Sequence, residues 1–528
     1  MRALVKWVFI TGGVLSGLGK GIVAASIGRF FEGYKVVPVK CDGYLNVDPG
    51  TMNPVEHGEV FVLKDGGEVD MDFGHYERFF GIECTKNQNL TMGKVFHSVI
   101  EKERKGEFLG KTVQMVPHVV NEIKGFWRQI GTKEKAQVLL IEIGGTVGDI
   151  ENELYVEAAR QTWMENKGDV FFVHVTYVPV IDAVGEQKSK PTQQSVELLR
   201  ERGIQPDLIV CRANTNLAEK VREKIALYSN LPTEAVVSNP NLENVYKLPI
   251  IFEDEGVPKL LEKKFDIKLD YNLKEWRRLL NSLENPKKTV KIKICGKYTE
   301  LKDSYYSLSE ALKHAAAHCS CKIELGFVET TNIEEKKVSV QDALKGADGI
   351  IVPGGFGSRG TEGKIACIKF ARENNLPFLG LCFGMQLAVA EFARSVGMKG
   401  ANSTEIDQKT KYPVIFLQPE QRGVKKKGGT MRLGDYTAVL KKGSVVSRLY
   451  ESGKAVERHR HRFEVNPRFV PLLQKKGLVF SGFYKNLAEF IELPKHKFFV
   501  GTQAHPEFKS RLEKPSPLFF GFVKACAR

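Results

Sequence analysis

Short apolar runs alternate with amphipathic stretches along most of the chain. Leu4–Ile10, Val138–Ile141, Val170–Tyr177 and Leu208–Cys211 have the length and the β-branched or aromatic content of buried strands. Polar stretches with helical spacing lie between them, such as the one carrying Ile22, Ala25 and Ile27. Strands and helices in alternation predict a mainly parallel sheet with crossover helices, an α/β fold. Leu273, Trp276, Leu280 and Leu283 mark one face of a further helix, which Asn285-Pro286 stops. A new strand, Val290–Cys295, follows, and the alternation restarts through Gly349–Val352 and Pro377–Leu381. The pattern divides the chain into a first domain over 1–270, a helical linker over 271–289 and a second α/β domain over 290–528.

Length and composition narrow the class. A chain of 528 residues exceeds a single core, and 42% apolar with 27% charged residues is ordinary for a globular protein. No run of about 20 apolar residues occurs, so no membrane span is expected. Val8-Phe9-Ile10 passes straight into Thr11-Gly12-Gly13, unlike a signal peptide. Nine scattered cysteines point to reduced thiols and a cytoplasmic location. The formal charge of +15 suits either nucleic acid or small anions. Its basic clusters (Lys287-Lys288, Lys425-Lys426-Lys427, Lys475-Lys476) are short, separated and not interleaved with aromatics, so nucleic acid is not expected.

The first half carries phosphate chemistry. Its opening strand leads into Thr11–Gly21, a glycine-rich loop with Lys20 near its end, followed by a helix. Backbone N–H groups and a lysine around an anion are the needs of a phosphate site. The spacing is not that of a regular Walker A motif: Gly13 lies one residue too far from Gly19, and Gly21 stands where a magnesium-binding hydroxyl is usual. Glu142, at the end of a buried strand, and Asp72 are candidate replacements, since carboxylate oxygens suit magnesium held mainly by phosphates and water. Asp72 could instead cap the helix-like run that follows it. Gly144–Glu151 is another glycine-rich turn with two acids, and Lys188–Gln193 offers lysines and an amide suited to a triphosphate and a base edge.

The second half carries a nucleophile. Gly380 and Gly384 bracket Cys382 between an apolar strand and a helix, the arrangement that lifts a nucleophile onto a helix N-terminus. Gly354-Gly355 follows a strand and offers free N–H groups to an oxyanion. His505 supplies a base that Glu507 can orient, provided the turn at Pro506 brings the two together. Zinc on His459 and His461 with Cys319 and Cys321 is disfavoured, because C-x-C is shorter than usual ligand spacings and no second cysteine pair accompanies it.

Thr11–Gly21, Lys40–Met52, His57–Phe61, Gly74–Arg78, Glu142–Glu151 and Lys188–Gln193 resemble, in order, the signature blocks of the CTP synthase family. The second domain resembles the class I glutamine amidotransferase domain which that family carries at its C-terminus. The resemblance implies a P-loop, Rossmann-like synthetase domain joined to a flavodoxin-like glutaminase. It implies ATP-dependent amination of UTP to CTP through a 4-phosphorylated intermediate, with ammonia from glutamine. On it, Cys382, His505 and Glu507 become the glutaminase triad, and Gly355, Phe383, Gly384, Met385, Gln386, Glu405 and Arg462 hold glutamine. Lys20 and Lys40 stabilise the transferring phosphoryl group, with magnesium on Asp72 and Glu142. ATP falls to Gly17, Leu18, Gly19, Lys20, Gly21, Ile22, Asp72 and the loop Pro240, Asn241, Leu242. UTP falls to Ser16, Lys188, Ser189, Lys190, Pro191, Thr192, Gln193 and Lys224, and Asp149, Ile150 and Glu151 match the site of the inhibitory product CTP. GTP as an allosteric activator through Arg359 and a homotetramer are further implications.

Several positions depart from the family pattern. Gly43 replaces a usual proline, Ser358 stands where tyrosine is common, the loop at 240–242 is atypical, and the lid between Leu417 and Gly428 is short. Two other function classes fit parts of the chain: a fused amidotransferase acting on a different acceptor, and a non-enzymatic P-loop nucleic-acid binder or scaffold.

Overall fold

The computed structural model describes residues 5–47, 59–181, 185–297, 305–418 and 431–528. It has two compact units, residues 1–49 with 75–277, and residues 50–74 with 278–528. Among the described residues no helix is long and apolar enough to cross a membrane.

The first unit is built on a seven-stranded, wholly parallel sheet. Its order is Val236–Pro240, Leu208–Ala213, Val170–Tyr177, Lys6–Gly12, Val138–Ile143, Val36–Asp42, Asn89–Thr91. Each predicted apolar run falls in a largely buried strand, Leu4 of the first lying outside the described residues. Alternate residues face opposite sides: Trp7 and Phe9, Val37 and Val39, and Leu139 and Ile141 enter one core with Trp127. Phe9 stands 5.4 Å from both Trp127 and Phe172. Lys6–Gly12 lies inside the sheet, between Val138–Ile143 and Val170–Tyr177, so its C-terminal loop opens at the edge where parallel sheets place ligands.

The second unit has a nine-stranded mixed sheet. Five parallel strands, Cys321–Glu329, Lys288–Gly296, Gly349–Val352, Phe378–Leu381 and Phe499–Thr502, continue into an antiparallel run of Leu487–Glu492, Val479–Tyr484, Arg432–Leu440 and Lys454–His461. Period-two alternation covers both faces. Ile350 and Val352 pack with the helices Thr361–Glu373 and Phe383–Ser395, whereas Ile351 packs with Tyr306–Cys319 and Pro517–Cys526. Both units are therefore α/β, with helices on the sheet faces.

A short hairpin from early in the chain, Phe61–Val62 with Glu68–Val69, belongs to this second unit. The Phe61 ring lies 5.1 Å from Phe508, Arg458 donates to the Val62 carbonyl at 2.9 Å, and Arg460 pairs with Glu68 at 2.8 Å.

Candidate active site

Cys382 is the turn between the strand Phe378–Leu381 and the helix Phe383–Ser395, with φ 50° and ψ −102°. A non-glycine residue persists in such a conformation only when its surroundings over-determine it. Here two glycines do so. A Cβ on Gly384 would stand 2.0 Å from the Val352 carbonyl oxygen, and one on Gly380 would stand 2.9 Å from the Gly384 backbone. The helix therefore starts hard against the sheet, and the Cys382 N–H donates to the Thr502 carbonyl at 2.7 Å.

The two other candidates for the triad, His505 and Glu507, stand at this elbow. The turn at Pro506 brings His505 Nδ1 to 2.7 Å from Glu507 Oε1, and the His505 N–H donates to the Arg458 carbonyl at 2.7 Å. The imidazole stacks on Phe508, with centroids 5.5 Å apart. Burial alone would push this histidine down, but the Glu507 carboxylate, the Cys382 sulfur and the hydrogen bonds to both outweigh it and raise it to about 10. A cationic imidazole beside the sulfur is what a thiolate nucleophile requires. Gln503 Nε2 stands 3.7 Å from the sulfur and the Arg460 carbonyl 4.0 Å from it. The oxyanion loop passes close by: a Cβ on Gly354 would be 2.7 Å from His505 and 3.7 Å from the Cys382 Cβ.

Among the residues assigned to glutamine, Gln386 reaches the Cys382 sulfur through Gln503. Gln386 donates to the Phe463 carbonyl at 2.9 Å and to Gln503 at 3.3 Å, while Phe383, Gly384 and Met385 form the buried first turn of the elbow helix. The Glu405 carboxylate accepts from the Gly357 N–H at 2.9 Å. Burial pushes that carboxyl up, and the Gly357 N–H, Lys297 and Lys364 oppose the shift. Arg462 sits half-buried between the strands Lys454–His461 and Phe463–Val465. Gly355 and Arg359 are exposed on the oxyanion loop and after it, and Arg359 donates to the Lys297 carbonyl at 3.3 Å.

The histidine pair serves a buried polar network. His459 Nδ1 is 2.9 Å from His461 Nε2, and His459 Nε2 lies 3.5 Å from Glu489. Arg432 binds Glu464 at 2.9 Å and Glu489 at 2.5 Å, and Gln418 donates to Glu464 at 2.7 Å. Among the described residues no group of three or more His, Cys, Asp or Glu side chains is arranged to hold a metal ion. Residues 419–428 of the short lid and 48–58 of the early signature blocks lie outside the described residues.

In the first unit the phosphate loop has Gly17 at φ 77° and Gly19 at φ 84°, and Val14, a β-branched residue, at φ 75°. Lys20 is the first residue of the helix Lys20–Arg29, and its ammonium donates to the Gly145 carbonyl at 2.6 Å. A Cβ on Gly12 would come within 2.8 Å of the Lys20 stem, so that strand residue leaves the path the lysine takes. Ser16 and Gly17 are exposed, Leu18 is buried, and Gly21 and Ile22 continue the helix.

Lys40 and Glu142 lie side by side on paired strands, buried, with Nζ 3.0 Å from the carboxylate. Asp42 adds a second carboxylate 3.8 Å from Nζ, and Tyr76 donates to the other Glu142 oxygen. Asp72 opens the helix that carries Tyr76, being its first residue. Asp149, Ile150 and Glu151 are exposed at a turn. A Cβ on Gly43 would stand 2.9 Å from Glu151 Cβ and 2.8 Å from Asn152 Oδ1, so the position that departs from the family abuts this acidic turn. The helix begins at Lys190, placing Lys190, Pro191, Thr192 and Gln193 in its first turn, with Ser189 at its cap. Lys188 pairs with Glu186 at 2.8 Å, and Lys224 is exposed on Glu219–Ser229. Pro240 ends its strand and accepts from Arg212 at 3.1 Å; Asn241 contacts Asn214 at 3.2 Å, and Leu242 follows, half-buried.

Sequence reasoning missed several supporting groups. His174 bridges Thr11 (2.9 Å) and Ser195 (2.7 Å), and a Cβ on Gly13 would overlap Ser195 Oγ at 1.6 Å. This buried triad ties the phosphate-loop strand to the helix that begins at Lys190. Burial, and then Lys20, hold His174 down at about 3, so it is neutral. A polar residue within the apolar run Val170–Tyr177 was the available signal. Gln503, Lys297 and Lys364 had only their place beside recognised motifs to mark them.

Residues 6–267 match the family model for the CTP synthase N-terminus, and residues 300–525 match that for glutamine amidotransferase class-I. The chain is 52% identical over 529 residues to the CTP synthase of Archaeoglobus fulgidus, covering 99% of this chain and 98% of the relative. The chain belongs to the CTP synthase family. Its similarity to the CTP synthase of Pyrococcus furiosus is 52% over 530 residues, covering 99% and 98% of the two chains. To the CTP synthase of Borreliella burgdorferi it is 50% over 538 residues, covering all of both. Its enzyme class is that of the CTP synthase family, a glutamine-hydrolysing, C–N bond-forming ligase of pyrimidine biosynthesis.

Proposed function

We propose that this chain converts UTP to CTP by an ATP-dependent amination whose nitrogen comes from glutamine hydrolysed at Cys382. The observation that carries the reading is the elbow at Cys382, with His505 bonded to Glu507 at 2.7 Å beside it, in one chain with a phosphate loop. The Cys382 thiolate attacks the glutamine amide carbon, and the Gly355 and Phe383 N–H groups receive the oxyanion. His505 protonates the departing ammonia, and water then releases glutamate from the thioester. Glu405 meets the substrate ammonium and Arg462 its carboxylate.

In the first unit, the phosphate loop from Gly17 to Ile22 holds ATP, and Lys20 leaves its parked position on Gly145 for the phosphates. Pro240, Asn241 and Leu242 lie at the adenine. Ser16, Lys188 to Gln193 and Lys224 hold UTP. The UTP O4 takes the γ-phosphoryl group with release of ADP, ammonia attacks C4, and phosphate leaves. Lys40 stabilises charge on the transferring group. Glu142 and Asp72 would hold magnesium, which would neutralise phosphate charge. Inhibition by CTP at Asp149, Ile150 and Glu151, activation by GTP through Arg359, a homotetramer and a cytoplasmic setting complete the proposal. Mixing the protein with ATP, magnesium, UTP and glutamine tests it: CTP and glutamate should appear together. ATP consumption without CTP would overturn it in favour of another acceptor.

A further inference from the structure

Lys364 is a buried lysine beside the oxyanion loop. It lies in the first turn of the helix Thr361–Glu373 and leaves only 2% of its surface exposed, and among the described residues its ammonium makes no hydrogen bond or ion pair. Burying an ammonium without a carboxylate or carbonyl partner is costly, and such groups gather at functional sites. Its Nζ stands 3.7 Å from where a Cβ on Gly355 would be, and 5.1 Å from the centroid of the Phe383 ring. Gly355 and Phe383 are the two residues whose N–H groups receive the oxyanion. The neighbouring glycine, Gly354, turns instead toward His505 and Cys382. The loop thus has the nucleophile and its base on one side and a buried cation beside it.

We propose that Lys364 is a positioning residue of glutamine hydrolysis, its cation fixing the oxyanion loop between Gly355 and Phe383 and lending positive potential to the developing oxyanion. The inference rests on the glutaminase reading above. The groups facing the ammonium are Lys297 and Cys295 from the strand Lys288–Gly296 and the turn after it, Glu329 from the end of Cys321–Glu329, and Glu405 across the glutamine site. Burial and then Lys297 lower Lys364 to about 8, while Cys295, Glu329 and Glu405 resist. The cation is present at neutral pH and is lost about two units below the point at which His505 deprotonates.

The test is glutamate release by the full chain from pH 6.5 to 10, for wild type, Lys364→Met and Lys364→Arg. Methionine keeps an unbranched stem against Phe383 without the charge. A direct oxyanion donor is worth 100-fold or more; a cation behind it should be worth about 10-fold in kcat with little change in KM. Wild type should lose rate above about pH 8, Lys364→Met should be slow and flat there, and Lys364→Arg should hold its rate to higher pH. Ammonia-driven CTP formation should be unchanged in both variants, which reports an intact first unit. A Lys364→Met enzyme with wild-type kcat, or an alkaline fall in Lys364→Arg matching wild type, overturns the proposal while leaving the glutaminase reading standing. Wild-type glutamate release that survives Cys382→Ala overturns both.

Discussion

Gly384→Ala isolates what the elbow requires. The added Cβ would stand 2.0 Å from the Val352 carbonyl oxygen, 2.9 Å from its carbonyl carbon and 3.2 Å from its Cβ. That is roughly 1.5 Å short of an ordinary contact of about 3.5 Å. Neither side yields easily. Val352 pairs with Gly380 inside the parallel part of the sheet, and the helix that begins at Phe383 is buried along nearly its whole length. Overpacking of this kind costs about 1–3 kcal/mol, and a backbone-to-backbone clash falls at the upper end. The displaced group is the nucleophile itself, and a shift of about 1 Å costs on the order of 100-fold in rate. Gly384→Ala should therefore lose about 100-fold in glutamate release and melt several degrees lower. It should still form CTP from ammonium at close to the wild-type rate. Wild-type glutaminase activity in this variant would refute the steric account of the elbow.

Four further variants carry expected outcomes. Lys20→Met should reduce CTP formation by about 100-fold or more with either nitrogen source, because the phosphates lose their lysine, while basal glutamate release persists. Glu507→Gln should lower His505, which Glu507 helps to hold at about 10, as read in a histidine NMR titration. Because His505 is raised on folding, its contribution to stability is complete below about 6.5 and disappears as pH rises through about 10, so Glu507→Gln should also flatten the alkaline loss of stability. His174, held at about 3, has the opposite sign: the unfolded chain takes a proton that the native state refuses, so stability falls below about pH 6.5 by up to about 1.4 kcal/mol per pH unit. His174→Gln should reduce that acid slope in urea titrations. Arg432→Met strands Glu464 and Glu489 in the interior and should cost about 3–5 kcal/mol by denaturant unfolding.

The parts of the fold legible in the sequence are those set by local periodicity. The buried strands Lys6–Gly12, Val138–Ile143 and Gly349–Val352 are apolar on both faces because helices cover both sides of a parallel sheet, and this makes unbroken apolar runs. Cys382 was legible for a related reason: two bracketing glycines record a close approach that no other residue permits. The hairpin at Phe61 and Glu68 was not, because its partners Arg458, Arg460 and Phe508 lie hundreds of positions away and a two-residue strand leaves no period. The His174–Ser195–Thr11 triad was hidden similarly, each member being unremarkable until three elements converge. Lys364 reads as one more surface lysine on an amphipathic helix, and only its burial beside Gly355 distinguishes it.

The most direct test of the central claim is CTP formation from UTP and ATP, with glutamine or with ammonium, by wild type and by Cys382→Ala. The account predicts CTP from both nitrogen sources in wild type and from ammonium alone in Cys382→Ala. Glutamine-driven CTP formation that survives Cys382→Ala, or ATP consumption that yields no CTP from UTP with either source, would contradict it.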